Sequence, residues 1–172
     1  LETGISGFDE QDIPSGGDRN AIIASVSRPT EKRLLNVGQA FREGLSLDEI
    51  HNASRIDKWF LRQIAEIIAE EAAIKASGLP KDASEWTRIK AMGFSDVRLA
   101  KLTGNSELDV RAARHEAGVR PVFKRIDTCA AEFAARTPYL YSTYEQGWLG
   151  PDGKAIPAQN EAEPSGRRKA MI

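Results

Sequence analysis

The chain has 172 residues, of which 41% are hydrophobic and 28% are charged, which indicates a folded globular protein of one ordinary domain or two small ones. Its net charge of −1 gives the chain as a whole no electrostatic attraction to nucleic acid or to an anionic membrane. The single cysteine excludes an internal disulfide and a cysteine-cluster zinc site, and no apolar run approaches the roughly 20 residues needed to span a bilayer. We therefore expect a reducing, cytoplasmic location.

The first predicted elements are an extended segment and two helices. Residues 1–17 are rich in glycine, serine and acidic residues, which predicts an extended segment with turns. Asp18 is expected to cap a short helix that ends before Pro29. Thr30 is expected to cap a second helix, which has an apolar face and stops near Gly44.

Five further helices are predicted from the same start and stop signals. Ser46 and Glu49 have the spacing of a capping box, in which each side chain accepts a hydrogen bond from a free backbone amide. Asp57 is expected to cap the longest helix, over about 58–76, which stops at Gly78. Three shorter helices follow, over 84–92, 95–104 and 106–118, each with a hydroxyl residue before it and a glycine at its end. The predicted fold class is all-α, a multi-helical domain with extended segments near both ends.

The helical region contains a weak internal repeat. Residues 44–64 align with residues 93–113 at an offset of 49, which matches serine with serine at positions 46 and 95. Each copy is typical of a short capped helix, a tight turn and a second capped helix. The repeat therefore predicts two helix-turn-helix-like units.

The pattern changes after Gly118. Residues 119–127 predict an extended segment, 128–135 could form two helical turns, and 139–145 alternate in a strand-like way. Residues 146–166 contain four glycines and three prolines and are interpreted as a linker. The predicted divisions are thus an extended segment at 1–17, a helical domain at 18–145, a linker at 146–166 and the start of the next domain at 167–172. Leu1, in place of Met, and the apolar last residues suggest that both ends are cut from something longer.

Helix-turn-helix units raise the possibility of DNA reading, which requires cations toward phosphates and bases. The second helix of each unit instead carries cations and carboxylates in similar numbers: Lys58, Arg62 and Lys75 with Glu66, Glu70 and Glu71 in the first unit, and Arg111 and Arg114 with Glu107, Asp109 and Glu116 in the other. Two helical pairs packed on each other are the favoured interpretation.

The residues that could support catalysis or metal binding form no recognisable set. His51 and His115, the only histidines, have no ligand partner at a metal-binding spacing and are interpreted as surface or capping residues. Cys129 could be a nucleophile with His115 as its base, but its alanine-rich surroundings favour a small buried residue that does not react. The glycines at 15–18 are a very weak anion-binding signal, and the basic cluster at 165–169 is expected to be solvated.

No catalytic, cofactor-binding or metal-binding residue is predicted. The leading hypothesis from the residues is a connector or oligomerisation module. The alternative is a stand-alone helix-turn-helix module that binds nucleic acid or another protein.

Several strings of the sequence carry a family resemblance. They are "LETGISGFDE" (1–10), "REGLSLDEIHNASRIDKWFLRQI" (42–64), "GLPKDA" (78–83), "IKAMGFSD" (89–96), "VRPVFKRIDTCAAEFAARTPYLYSTYE" (119–145) and "PSGRRKAMI" (164–172). With these strings the chain resembles the middle segment of the large subunit of carbamoyl phosphate synthetase, over nearly its whole length. The stretch at 146–163 departs from the family pattern, because it is longer than the usual short acidic linker.

The resemblance implies a function for the chain within a larger enzyme. In that family two homologous ATP-grasp halves phosphorylate bicarbonate and carbamate, using ammonia from a glutamine-hydrolysing small subunit, for arginine and pyrimidine biosynthesis. The implied role of this chain is the non-catalytic helical connection or oligomerisation domain between the halves. The implied partners are the flanking halves, the small subunit and other large subunits, with no nucleic acid and no membrane. The cofactors of the parent enzyme, ATP, Mg²⁺ or Mn²⁺ and K⁺, would bind in the halves and not in this fragment.

Overall fold

The structure, a computed structural model, describes residues 4–12, 18–127, 130, 132–133, 139–162 and 166–167. Within these residues the chain is predominantly helical, which confirms the all-α prediction. The helices are α1 (Arg19–Ser27), α2 (Arg33–Arg42), α3 (Leu47–Ser54), α4 (Lys58–Ser77), α5 (Ala83–Ala91), α6 (Asp96–Thr103) and α7 (Glu107–Glu116). The strands are short: β1 (Val122–Ile126), β2 (Tyr139–Thr143), β3 (Trp148–Leu149) and β4 (Ala155–Ile156).

Most helices begin where the capping residues predict. A side-chain oxygen accepts a hydrogen bond of 2.7–3.3 Å from a backbone N–H two or three residues later at Asp18, Ser46, Asp57 and Ser95. The capping box predicted at Ser46 and Glu49 is complete, since the Glu49 carboxylate also accepts from the Ser46 N–H at 2.9 Å. These bonds satisfy amides that have no partner inside the helix.

Two predicted helix caps are wrong. Thr30 does not cap α2, because the Thr30 carbonyl accepts a turn bond from the Arg33 N–H at 3.1 Å and the helix begins only after Lys32, which makes no side-chain cap. In α5 the capping oxygen belongs to Asp82 rather than to a hydroxyl residue, since its Oδ1 accepts from the Glu85 N–H at 2.9 Å.

The two predicted helix-turn-helix-like units are present, with their helices beginning at equivalent positions. Helices α3 and α6 have eight residues each and are offset by 49 positions, and the second helix of each unit begins four positions after the first ends. In both units the residue after the first helix has a left-handed backbone conformation, with a φ of 60° at Arg55 and 70° at Gly104. The two units therefore share one local design, although the first must place an arginine where glycine is favoured.

The chain divides into two compact units, of which the first comprises residues 1–80 and 92–111. In this unit α1 packs against α2 and α3, and α4 packs against α2, α3 and α6. Their shared core consists of buried apolar side chains: Ile22, Val26, Val37, Ala40, Leu45, Ile50, Leu61, Ile64 and Ile68. The core thus comes from the apolar faces that the helical periodicity predicts.

The second unit comprises residues 81–91 and 112–172. The predicted extended stretches form an antiparallel hairpin, in which Val122 of β1 faces Thr143 of β2. Strands β3 and β4 form a second small hairpin inside the predicted linker at 146–166, which was not expected to contain strands. Cys129, most of the helical turns predicted at 128–135, and residues 168–172 lie outside the described residues. The predicted domain divisions stay a prediction.

Candidate functional site

The most unusual polar group in the first unit is Arg98, which lies on α6. Only 2% of its side chain is exposed, and its closest partner, Glu71 of α4, is 3% exposed. The Arg98 Nε donates to Glu71 Oε1 at 2.8 Å. A buried charge destabilises a protein unless it is paired and hydrogen-bonded, so the two side chains require each other.

The N-terminal segment, residues 4–12, completes the coordination of Arg98. The guanidinium Nη1 donates to Glu10 Oε2 at 2.8 Å and to Asp9 Oδ1 at 3.2 Å. The Nη2 donates to the Phe8 carbonyl at 3.2 Å and to Glu10 Oε1 at 3.1 Å. We name Arg98, Glu71, Asp9 and Glu10 the Arg98 clamp, because one guanidinium joins the N-terminal segment to α4.

A second arginine, Arg42 of α2, repeats this bridging. Its Nη2 donates to Glu71 Oε2 and to the carbonyl of Phe8. Lys75 of α4 lies 3.2 Å from Glu10 Oε1. Each carboxylate oxygen of Glu71 therefore has an arginine partner, and the N-terminal segment is bonded to three helices.

Two hydroxyl residues and one lysine secure the start of the N-terminal segment. Ser95, the cap of α6, donates through its Oγ to the Ser6 carbonyl at 2.9 Å. Ser6 in turn donates its Oγ to Asp9 Oδ1 at 2.7 Å, and Lys101 lies 3.3 Å from Asp9 Oδ2. The residue that starts α6 thus also holds the chain that crosses it.

An apolar contact accompanies the ionic ones. Phe8 packs against the hydrophobic core, and its ring lies directly over Gly38 of α2. A Cβ at position 38 would lie 2.9 Å from Phe8 Cδ1, closer than side chains approach one another. The absence of a side chain at Gly38 therefore leaves the space in which the Phe8 ring packs against α2.

The electrostatics of the clamp favour its charged form. Hydrogen bonding from Arg98 holds the pKa of the Glu10 carboxyl well below its usual range, against the smaller opposing effect of burial. Burial acts to lower the pKa of Arg98, but the hydrogen bonds to Glu71 and Glu10 outweigh it and raise that pKa. Burial likewise acts to raise the pKa of Asp9, and hydrogen bonds from Ser6 help to bring it below its usual value.

A cavity of about 460 Å³ adjoins the clamp. Its walls are mainly apolar side chains of the N-terminal segment, α2, α4 and the turn before α6: Ile5, Phe8, Leu34, Leu35, Ile67 and Phe94. Arg98 and Glu71 also line it, but their polar atoms already bind one another and the N-terminal segment. A third charged residue, Glu31, also lines the cavity, but most of its wall is apolar.

The histidines serve local structure. His51 Nδ1 lies 2.8 Å from the Ile56 carbonyl across the turn that follows α3, and His115 Nε2 lies 3.3 Å from Arg120 Nη1. Among the described residues no group of three or more His, Cys, Asp or Glu could hold a metal ion. Cys129 and the glycines at 16–17 lie outside the described part of the chain, so their predicted roles stay predictions.

Three cations on the second helices of the repeat, α4 and α7, bind carboxylates of nearby segments. Lys58 lies 2.6 Å from Asp48, and Lys75 binds Glu10 of the clamp. Arg111 of α7 pairs with Glu107.

In the part of the chain that the structure describes, no helix is both long and apolar enough to cross a lipid bilayer.

Sequence reasoning missed the clamp, although one signal was present. Glu71 lies in the apolar stripe of α4, at helical spacing from Ile64, Ile68 and Ile74, which are all buried. A carboxylate at such a position requires a buried cation as its partner. The spacing predicts that Glu71 is paired, but it does not identify Arg98.

The sequence is similar to one known protein family and to the large chains of several bacterial enzymes. A family model described as carbamoyl-phosphate synthetase large chain, oligomerisation domain, matches residues 1–118. The chain is 50% identical to the carbamoyl phosphate synthase large chain of Brucella melitensis over 175 residues, 49% identical to that of Rhizobium meliloti over 176, and 43% identical to that of Neisseria meningitidis over 173. Each match covers 100% of this chain but only 14–15% of the relative, so the chain spans a small part of their length.

Proposed function

The chain belongs to the family of carbamoyl-phosphate synthetase large-chain oligomerisation domains, and we propose that it is the connector of such an enzyme, joining two synthetase halves and carrying contacts between large chains. The chemistry of the proposed enzyme is the ATP-dependent formation of carbamoyl phosphate from bicarbonate and glutamine-derived ammonia. ATP, the divalent metal and K⁺ would bind in the halves, and a glutaminase subunit would be a further partner in the cytoplasm. The proposed role of this chain is to hold the two halves in position, without taking part in the chemistry.

The Arg98 clamp carries the connector proposal. A connector must hold the polypeptide that reaches it in a fixed position relative to its own helices. Here the N-terminal segment is bonded through Phe8, Asp9 and Glu10 to side chains from α2, α4 and α6. A flexible tether would require none of these contacts, which range from buried to half-exposed and order a short segment at an entropic cost.

The connector proposal is tested by Arg98→Met in an intact large chain assembled with its small subunit. We expect the bicarbonate-dependent hydrolysis of ATP by the first half to continue. The overall formation of carbamoyl phosphate is expected to fall about tenfold or more, because small displacements between reacting centres are costly. Lys101→Met removes only a half-exposed ion pair to the same segment, so it is the matched comparison and should lower carbamoyl phosphate formation far less than Arg98→Met.

Two results would contradict the proposal. Unchanged carbamoyl phosphate formation by the Arg98 variant, with the N-terminal segment shown to be released, would mean that the segment need not be held. Binding of Mg-ATP to the 172-residue chain with micromolar affinity, measured by titration calorimetry, would show that the chain is more than a connector.

A further inference from the structure

The cavity beside the Arg98 clamp lies entirely within the first unit of the chain. Its volume of about 460 Å³ is in the range of sites that hold small organic molecules. Its walls come from residues 5–8, the start of α2, α4 and the turn before α6. Leu34 and Ile5 line it and are also 55% and 46% exposed, so the cavity opens to the solvent. A small molecule can therefore reach it from outside.

The charged residues of the cavity are one bound pair and one separate carboxylate. Arg98 and Glu71 bind one another, and each N–H group of the Arg98 guanidinium already donates to an oxygen. The other charged residue is Glu31, which is exposed in the turn before α2. Within the described part of the chain no cation pairs with Glu31. An anion would thus find no free donor on Arg98, whereas a cation would find a partner in Glu31.

The uncharged walls determine the rest of the ligand. Phe8 and Phe94 contribute aromatic rings, and Leu35 and Ile67 contribute aliphatic side chains. Burial of apolar surface against these walls supplies most of the affinity, because an ion pair with an exposed carboxylate contributes at most about fivefold. Walls from several segments suit a compact molecule better than an extended peptide. The best fit is an apolar body with one cationic head group.

We propose that this cavity is a binding site for a small amphipathic cation, an organic ammonium or guanidinium compound, and that its occupancy holds the N-terminal segment to the helices. Residues 5–8 are both a wall of the cavity and part of the segment that the clamp holds. The Phe8 carbonyl accepts from Arg98, and the Ser6 carbonyl accepts from Ser95. A bound molecule contacts the segment and the helices together, so release of the segment would cost those contacts as well.

Titration calorimetry of the 172-residue chain tests the site with three probes that share a phenylbutyl body. Phenylbutylamine, phenylbutanol and phenylbutanoate present a cation, a neutral hydroxyl and an anion. We expect the amine to bind with a dissociation constant of roughly 0.1–1 mM. It should bind about two- to fivefold more tightly than the alcohol, and the carboxylate should bind most weakly. With the amine bound, the backbone amides of residues 5–8 should exchange hydrogen more slowly than in the free chain.

Two variants separate the charge from the cavity. Glu31→Gln changes an exposed turn residue and should remove the preference for the amine over the alcohol. Leu35→Trp fills the cavity with a larger side chain and should remove measurable binding of all three probes. Glu116→Gln, an exposed carboxylate that does not line the cavity, is the matched control and should leave every affinity unchanged. Far-UV circular dichroism establishes that the variants are folded, and Glu31→Gln decides the test if Leu35→Trp does not fold.

Three results would overturn the site. The first is that the amine does not bind the wild-type chain, or binds no better than the alcohol. The second is unchanged binding by a folded Leu35→Trp protein, which would place the probes elsewhere. The third is that the amine binds the 172-residue chain but not the intact large chain, because another part of the enzyme would then fill the cavity. None of these results bears on the connector role, which Arg98→Met tests separately.

Discussion

Substitution of Arg98 by methionine should destabilise the first unit of the chain strongly. Methionine keeps a similar apolar length but removes the guanidinium that binds Glu71, Asp9 and Glu10 together. Loss of one partner of a buried ion pair costs about 3–5 kcal/mol. Because Arg42 still binds Glu71, we expect the lower end, about 3 kcal/mol.

The size of the effect can be measured as a shift of the melting temperature. For a chain of this length 1 kcal/mol corresponds to about 2–4 °C, so Arg98→Met should lower the transition by about 6–12 °C. Lys101→Met removes an ion pair whose lysine is 51% exposed, and exposed pairs contribute at most about 1 kcal/mol. Arg98→Lys should fall between the two, since an ammonium cannot reproduce the planar donor geometry.

Amide hydrogen exchange should locate the change in the N-terminal segment. In the Arg98→Met protein we expect the backbone amides around Phe8 and Asp9 to exchange faster than those of the α3–α4 region, which retains its core. The reasoning would be refuted if Arg98→Met melted within the range of the Lys101 control. It would also be refuted if the N-terminal segment kept its full protection.

Three further predictions concern the backbone, the packing and the pH dependence. Arg55→Gly should stabilise the chain by about 0.5–1 kcal/mol in urea unfolding, because φ is 60° at that position, while Gly104→Ala at the equivalent turn should destabilise it by a similar amount; the opposite pair of signs would show that backbone strain is not the cause. Gly38→Ala should cost about 1–3 kcal/mol, since the new Cβ must displace the Phe8 ring, and an unchanged unfolding midpoint would mean that the ring moves aside freely. The pKa of Glu10 is lowered in the folded state, so its contribution to stability is present above its ordinary value of 4.5 and is lost as the pH falls below it. Glu10→Gln should therefore flatten the acid side of a plot of melting temperature against pH, and a plot as steep as that of the wild type would contradict the assignment.

Much of the helical layout could be predicted from the sequence, because its causes are local. Ser46 caps a helix by accepting from an amide three residues away, and Asp57 does so from one two residues away. The repeat was equally visible, since its two copies share capping residues at a constant offset. The predicted caps that failed, at Thr30 of α2 and at the hydroxyl residue expected to start α5, failed because a neighbouring turn or a nearby aspartate provided a better partner.

The candidate site could not be predicted in this way, because its residues are far apart in the chain. Arg98 binds Glu71 across 27 positions and Glu10 across 88. The chain has 25 acidic residues, and their order along the sequence does not tell which of them share one guanidinium. The exposure of Trp59 could not be predicted for the same reason. Which apolar residues of α4 are buried depends on the helices that pack against it.

The sequence by itself therefore determined where most of the helices of this protein begin and end, which faces are apolar, and to which family the chain belongs. Each of these follows from contacts or strings within a few residues. Only the tertiary structure decided which charges are buried together and which aromatic side chains remain exposed. The physical reason is that burial and ion pairing depend on how whole helices pack. The partners of the N-terminal segment lie on α2, α4 and α6, which are neighbours only in the packed structure.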